Sequence, residues 1–133
     1  MIRLFIAHRK AEEDLDALKS SVESALTASK LSNFTLTLGR DDYEEKFKSA
    51  GSWDAWIERI ATGIHPITRK AIYDGLVVPD AKVGKATAKM VELALSKKKP
   101  VLYLTSDGAV KVVTGVERKD LRNFQSGWEL LFS

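Results

Sequence analysis

At 133 residues, 44% hydrophobic and 29% charged, the chain has the make-up of an ordinary globular domain and the length to bury a core, which excludes a disordered or fibrous class. Its 21 basic and 18 acidic residues leave a net charge of only +3, which admits an anionic ligand but lacks the basic excess of a nucleic-acid binder. With no cysteine, disulfides, thiolate nucleophiles and cysteine metal sites are excluded.

In chain order, "IRLFIA" (2–7) is a short apolar run with a polar break after it, which predicts a buried strand. The run ends at His8-Arg9-Lys10, too soon for a signal-peptide core, and no apolar stretch reaches membrane-spanning length. A cytoplasmic location without a membrane partner is therefore expected. Residues 11–29 place Leu15, Leu18, Val22, Ala25 and Leu26 at helical spacing, with acids crowded into the first turn where the helix dipole favours them. "NFTLTLG" (33–39) alternates Phe34, Leu36 and Leu38 with threonines, the pattern of a strand. Residues 40–51 form a polar connection with some helical character. Ser52 is positioned to cap a helix in which Trp53, Trp56, Ile57 and Ile60 make one apolar stripe and Asp54 lies in the first turn.

A third strand is expected at about 75–79, then a helix within "VGKATAKMVELALSKKK" (83–99) and a strand at "PVLYLT" (100–105). "SDG" signals a turn, so "AVKVVTGV" pairs back as a hairpin. The end, "RKDLRNFQSGWELLF", reads as a short helix or turn, with Trp128, Leu131 and Phe132 folded onto the core. Strands alternating with helices predict one α/β domain over residues 1–133, a flavodoxin-like or Rossmann-like three-layer sandwich. Its sheet is mostly parallel, the first three strands in the order 2-1-3, with a C-terminal antiparallel hairpin strand.

In such sheets ligands lie beyond the carboxyl ends of the strands where the winding reverses, here between strands one and three. The expected mouth is lined by Ala7, His8, Arg9 and Lys10, by Asp80, Lys82, Gly84, Lys85 and Thr87, and by Gly39, Asp41 and Asp42 from strand two. Arg9 and Lys10 beside a helix start would hold a phosphate or carboxylate, with Lys82 and Lys85 adding positive charge from the other side. The bland alternative pairs Arg9 and Lys10 with Glu12 or Glu13 at the surface. Asp41 and Asp42, with Glu44 and Glu45, would contact a sugar hydroxyl or simply face water.

Other motifs fail on particular residues. Gly84-Lys85 is no P-loop, because Pro79 stands where the upstream glycine belongs and Ala86 where a magnesium-binding hydroxyl is required. His8 and His65 lack local ligand partners, so no metal site is expected. Basic residues do not interleave with aromatics as base stacking would need, so no specific nucleic-acid binding is expected. Lys97, Lys98 and Lys99 fall at a helix end that favours positive charge.

The stretch "IYDGLVVPDAKVGKATAKMVELALSKKKPVLYL" resembles the nucleoside 2-deoxyribosyltransferase-like group, whose members run from a strand ending in an acid through a Gly-Thr-Ala-x-Glu helix start to a "GKPV" strand start. Aligned from Lys99-Pro100-Val101, residues Thr87, Ala88 and Ala94 match, and Asp74 and Asp80 flank the third strand. "LFIAHR" also resembles the first strand of TIR-type domains, which cleave NAD or act as adaptors. The first resemblance implies binding of a nucleotide, nucleoside or phosphosugar, with deoxyribosyl transfer or nucleotide hydrolysis as the activity. The helix glutamate that attacks the sugar in that group is Met90 here, while a TIR-like alignment would give its role to Glu92. At 100° per residue Val83, Thr87, Met90, Val91 and Ala94 share one face and Glu92 lies opposite, so Asp80 and His8 remain as the candidate acid–base pair. The alternative is a catalytically silent binding module or an adaptor on the same fold. The partner expected is a small anionic ligand such as a nucleotide; no cofactor is implied, and self-association into a homo-oligomer is left open.

Overall fold

A computed structural model describes residues 1–7, 14–39, 53–65, 68–105, 107–118 and 127–132. Its elements in chain order are β1 (Ile2–Ile6), α1 (Leu15–Ala28), β2 (Phe34–Leu38), α2 (Trp53–Thr62), β3 (Gly75–Val78), β4 (Lys82–Val83), α3 (Lys85–Ser96), β5 (Val101–Leu104), β6 (Val110–Arg118) and β7 (Trp128–Phe132). The sheet order is β2-β1-β3-β5-β6-β7-β4. The pairs from β2 to β5 are parallel and those from β5 outward are antiparallel. The expected 2-1-3 order is thus present. The polar connection over 40–51 and the Ser52 cap lie outside the described residues.

The alternation of side chains along each strand divides the apolar residues between two cores. Leu4 and Ile6 of β1, Leu36 and Leu38 of β2 and Val77 of β3 pack with Val22 and Leu26 of α1. Phe5, Leu76, Val78 and Val101 instead meet Trp56, Ile57 and Ile60 of α2 and Met90, Val91 and Ala94 of α3. Strands buried on both faces read as unbroken apolar runs, which is why "LFI" and "LVV" carry no polar residue. Phe5 anchors the second core through edge-to-face contacts with Trp56 and Tyr73, at centroid distances of 5.9 and 5.3 Å. No described helix is long and apolar enough to cross a membrane.

Local chemistry sets the element ends. The Asp14 carboxylate accepts the Ala17 N–H at 2.9 Å and caps α1. Both α1 and α3 end on a lysine in the left-handed region, Lys30 and Lys98, where glycine is the usual choice. Thr105 closes the β5–β6 turn by accepting the Ala109 N–H on its hydroxyl and donating to Asp107.

The carboxyl-terminal part departs from expectation. Residues 128–132 form the strand β7, not a helix or turn, and Leu130 enters the core at 2% exposure while Leu131 faces out at 43%. The tryptophan, Leu130 and Phe132 recur every second residue, a strand period that a helical reading of "WELLF" conceals. An irregularity in β6 between Val113 and Gly115 shifts the register against β7. The segment after β3 then reaches β7: Lys82 and Val83 pair with Glu129 and Trp128, and the Leu130 N–H donates to the Ala81 carbonyl at 2.9 Å.

Candidate functional site

The parallel order brings the carboxyl ends of β1, β2 and β3 to one edge of the sheet, where Ala7, Gly39 and the 79–81 connection emerge. Ala7 is buried, and its N–H donates to the Val77 carbonyl at 2.9 Å, so it offers the mouth only backbone. Asp80 is half-buried, Gly84 caps α3 in an exposed extended conformation, Lys85 is exposed and Thr87 half-buried rather than fully packed. His8, Arg9, Lys10, Asp41 and Asp42 lie outside the described residues. The stretch read as one loop over 78–87 is in fact the end of β3, a short connection, β4, the Gly84 cap and the first turn of α3. Lys82 therefore belongs to a strand at the far end of the sheet order, held there by the backbone of β7.

The helix behind this edge presents no carboxylate to the sheet. Met90 is 4% exposed within the core built by α2, α3, β6 and β7, whereas Glu92, the sole acid of α3, is exposed. The 100° helical step predicts this division. A glutamate turned to bulk water cannot attack a sugar held at the strand ends, so neither position 90 nor position 92 supplies a nucleophile there.

A concavity opens on the α2 side of the sheet. It encloses about 230 Å³ and is lined by Arg3, Thr35, Thr37, Arg59, His65, Ile72 and Tyr73. The register sets Arg3 beside Thr35 and Phe5 beside Thr37, so alternate residues of β1 and β2 form its floor. Arg59 reaches it from α2 at only 2% exposure. Residues 63–65 and 68–73 make a strap at its wall, closed by the Ile64–Ala71 bridge and by the Gly63 carbonyl, which accepts the Ile72 and Tyr73 N–H groups. In that strap the Thr68 N–H donates to His65 Nδ1 at 3.2 Å.

Asp74 fixes the Arg3 side of this cleft. It accepts the Arg3 backbone N–H at 2.8 Å and the guanidinium Nε at 3.3 Å, while Nη1 donates to the Ala71 carbonyl. The backbone hydrogen bond first, then the guanidinium, hold the Asp74 carboxyl below the usual carboxylate range. A depressed carboxyl adds stability at neutral pH that is lost as pH falls through the lowered value. The pair is more than a third exposed, so the contribution is about 1 kcal/mol or less. Asp74→Asn is therefore expected to flatten the stability profile below about pH 4 in urea titrations; an unchanged acid limb would show that the pair adds nothing.

The sequence reading missed this cleft. Its polar residues come from β1, β2, α2 and the strap, and no local spacing joins them. The available signals were a lone arginine inside the apolar strand "IRLFI" and Arg59 at the flank of the α2 stripe. Among the described residues, no group of three His, Asp or Glu side chains gathers as a metal site would require. Comparison with protein-family models, with curated proteins and with solved structures finds no match to this chain.

Proposed function

We propose that this domain binds a small anionic molecule of the nucleotide, nucleoside or phosphosugar kind at the carboxyl edge of β1 and β3. On this reading it is a flavodoxin-like cytoplasmic protein with a small-molecule partner rather than a nucleic-acid one. The observation that carries it is the reversal of winding between β1 and β3 in the order β2-β1-β3, the place where parallel sheets open a ligand crevice. Asp80, half-buried just after β3, is the group offered to a ribose hydroxyl. The burial of Met90 favours binding without a glycosyl-enzyme step. A silent module of this kind differs from a deoxyribosyltransferase or nucleotide hydrolase in leaving the glycosidic bond intact.

Thermal shift against nucleosides, deoxynucleotides, phosphosugars and NAD tests binding, and chromatography of the same mixtures for free base tests chemistry. A ligand at a hundred times its Kd adds about 2.7 kcal/mol, a rise of roughly 10 °C for a chain of this size. Asp80→Asn is expected to abolish that rise and Glu92→Gln to leave it intact. Release of free base would reject the silent reading. Absence of any shift would reject ligand binding and favour the adaptor alternative, for which a solution mass above the monomer is the supporting result.

A further inference from the structure

We infer that the amino edge of the parallel strands, opposite the proposed ligand mouth, is a docking surface for an anionic lipid bilayer. The helices α1, α2 and α3 each end at this edge, because each leads into the next parallel strand. The segments that enter β1, β2, β3 and β5 therefore lie side by side, and they carry Lys30, Arg69, Lys70, Lys97, Lys98 and Lys99. Lys99 is half-buried and the other five are exposed. Asp74 is the one acid among the described residues of those segments, and Arg3 already holds it. On the helices the nearest described acids are Glu23, Glu58 and Glu92, each a turn or more before its helix ends. Helix dipoles do not account for the charge: three carboxyl ends carry roughly half a negative charge each, well short of six cations.

The backbone adds a second observation. The described non-glycine residues with positive φ are Lys30, Asn33, Arg69 and Lys98, at 66°, 60°, 60° and 59°, and all four stand at this edge. Glycine, or less often asparagine, takes that conformation at least cost. Three of these corners hold a cation instead, so the chain accepts strain where it places charge on this surface.

Exposed apolar side chains select the partner. Met1, Ile2 and Ile64 are exposed at 73, 38 and 41%, and Ile64 joins the edge through its bridge to Ala71, whose carbonyl accepts from Arg3. Apolar side chains beside lysine and arginine suit a bilayer, where the first enter the acyl boundary and the second meet anionic headgroups. No exposed aromatic ring stands among the described residues of these segments to stack on a nucleobase. Surface docking needs no spanning helix, and it leaves the mouth at the carboxyl edge facing solution.

The test is co-sedimentation of the full chain with vesicles of equal parts phosphatidylserine and phosphatidylcholine at fixed ionic strength. Pure phosphatidylcholine vesicles and a DNA duplex are the parallel arms. Saturable binding to the anionic vesicles is expected, with none to phosphatidylcholine. Lys30→Gly and Lys98→Gly are each expected to weaken vesicle binding about fivefold while raising Tm, because glycine relieves the left-handed corner as it removes the charge. A lysine with a structural role alone would change Tm and leave vesicle affinity where it was. Ile64→Ser is expected to weaken vesicle binding, and Lys89→Gln, paired with Asp54 on the flank of α2 and α3, to leave it unchanged. No binding to anionic vesicles, equal binding to phosphatidylcholine, or unchanged affinity in both glycine variants would overturn the inference. So would binding to the duplex without binding to vesicles, which would assign the edge to nucleic acid. Asp80→Asn is expected to leave vesicle binding unaltered, so the docking edge and the ligand mouth stand or fall separately.

Discussion

Met90→Glu, which installs the carboxylate of the deoxyribosyltransferase-like pattern, is expected to yield no base-releasing activity and to cost about 3–5 kcal/mol at pH 7. The side chain at position 90 points into the core shared by α2, α3 and β6, where a charge has no solvation. Burial raises the folded-state pKa of such a glutamate above its unfolded value of about 4.3. The sign follows directly. Below that value both states are neutral and the variant loses only packing; as pH rises, stability falls by about 1.4 kcal/mol per unit until the folded-state pKa is passed. Urea denaturation at pH 4 and pH 7, with Met90→Gln as the uncharged comparison, reads this out. A Glu variant no more pH-dependent than the Gln variant would place position 90 at the surface and reopen the catalytic reading.

Gly63→Ala is expected to be as damaging for a backbone reason. Gly63 has φ of +69°, and an added Cβ would stand 2.0 Å from the Tyr73 carbonyl oxygen. The Cβ is fixed by its own backbone and the atom it meets is main chain, so no rotamer relieves the contact. The Gly63 carbonyl is also committed to Ile72 and Tyr73, so shifting the turn breaks the strap that walls the cleft. A left-handed non-glycine residue together with this clash amounts to about 3–5 kcal/mol, a fall in Tm of more than roughly 10 °C. Gly84→Ala is the matched control. It has open space around it and a negative φ, and as a cap it should lose under about 1 kcal/mol. Equal losses from the two alanines would contradict the geometry of the strap.

The strands and helices with strong periodicity were legible in the amino-acid sequence. "LFI" and "LVV", short apolar runs bounded by polar or turn residues, read as buried strands, and Met90 and Glu92 separate by helical arithmetic alone. β4 was not legible because two residues carry no period, and its pairing partner is supplied by β7 far along the chain. β7 itself was masked by Leu131, an exposed leucine that interrupts the alternation of Trp128, Leu130 and Phe132. The cleft is a product of tertiary structure: Arg3 and Thr35 become neighbours only through strand register, and Arg59 joins them only through the packing of α2.

The bond between β4 and β7 carries a consequence for biosynthesis. Val83 leads into α3, yet its strand partner, Trp128, is translated more than forty residues later. While the ribosome holds that partner, β1, α1, β2 and β3 are already free to assemble, but Val83, Met90 and Val113 lack the Leu130 that completes their cluster. Completion of that cluster therefore waits for β7, and until β7 has been made the apolar flank of Val83, Met90 and Val113 lacks its cover.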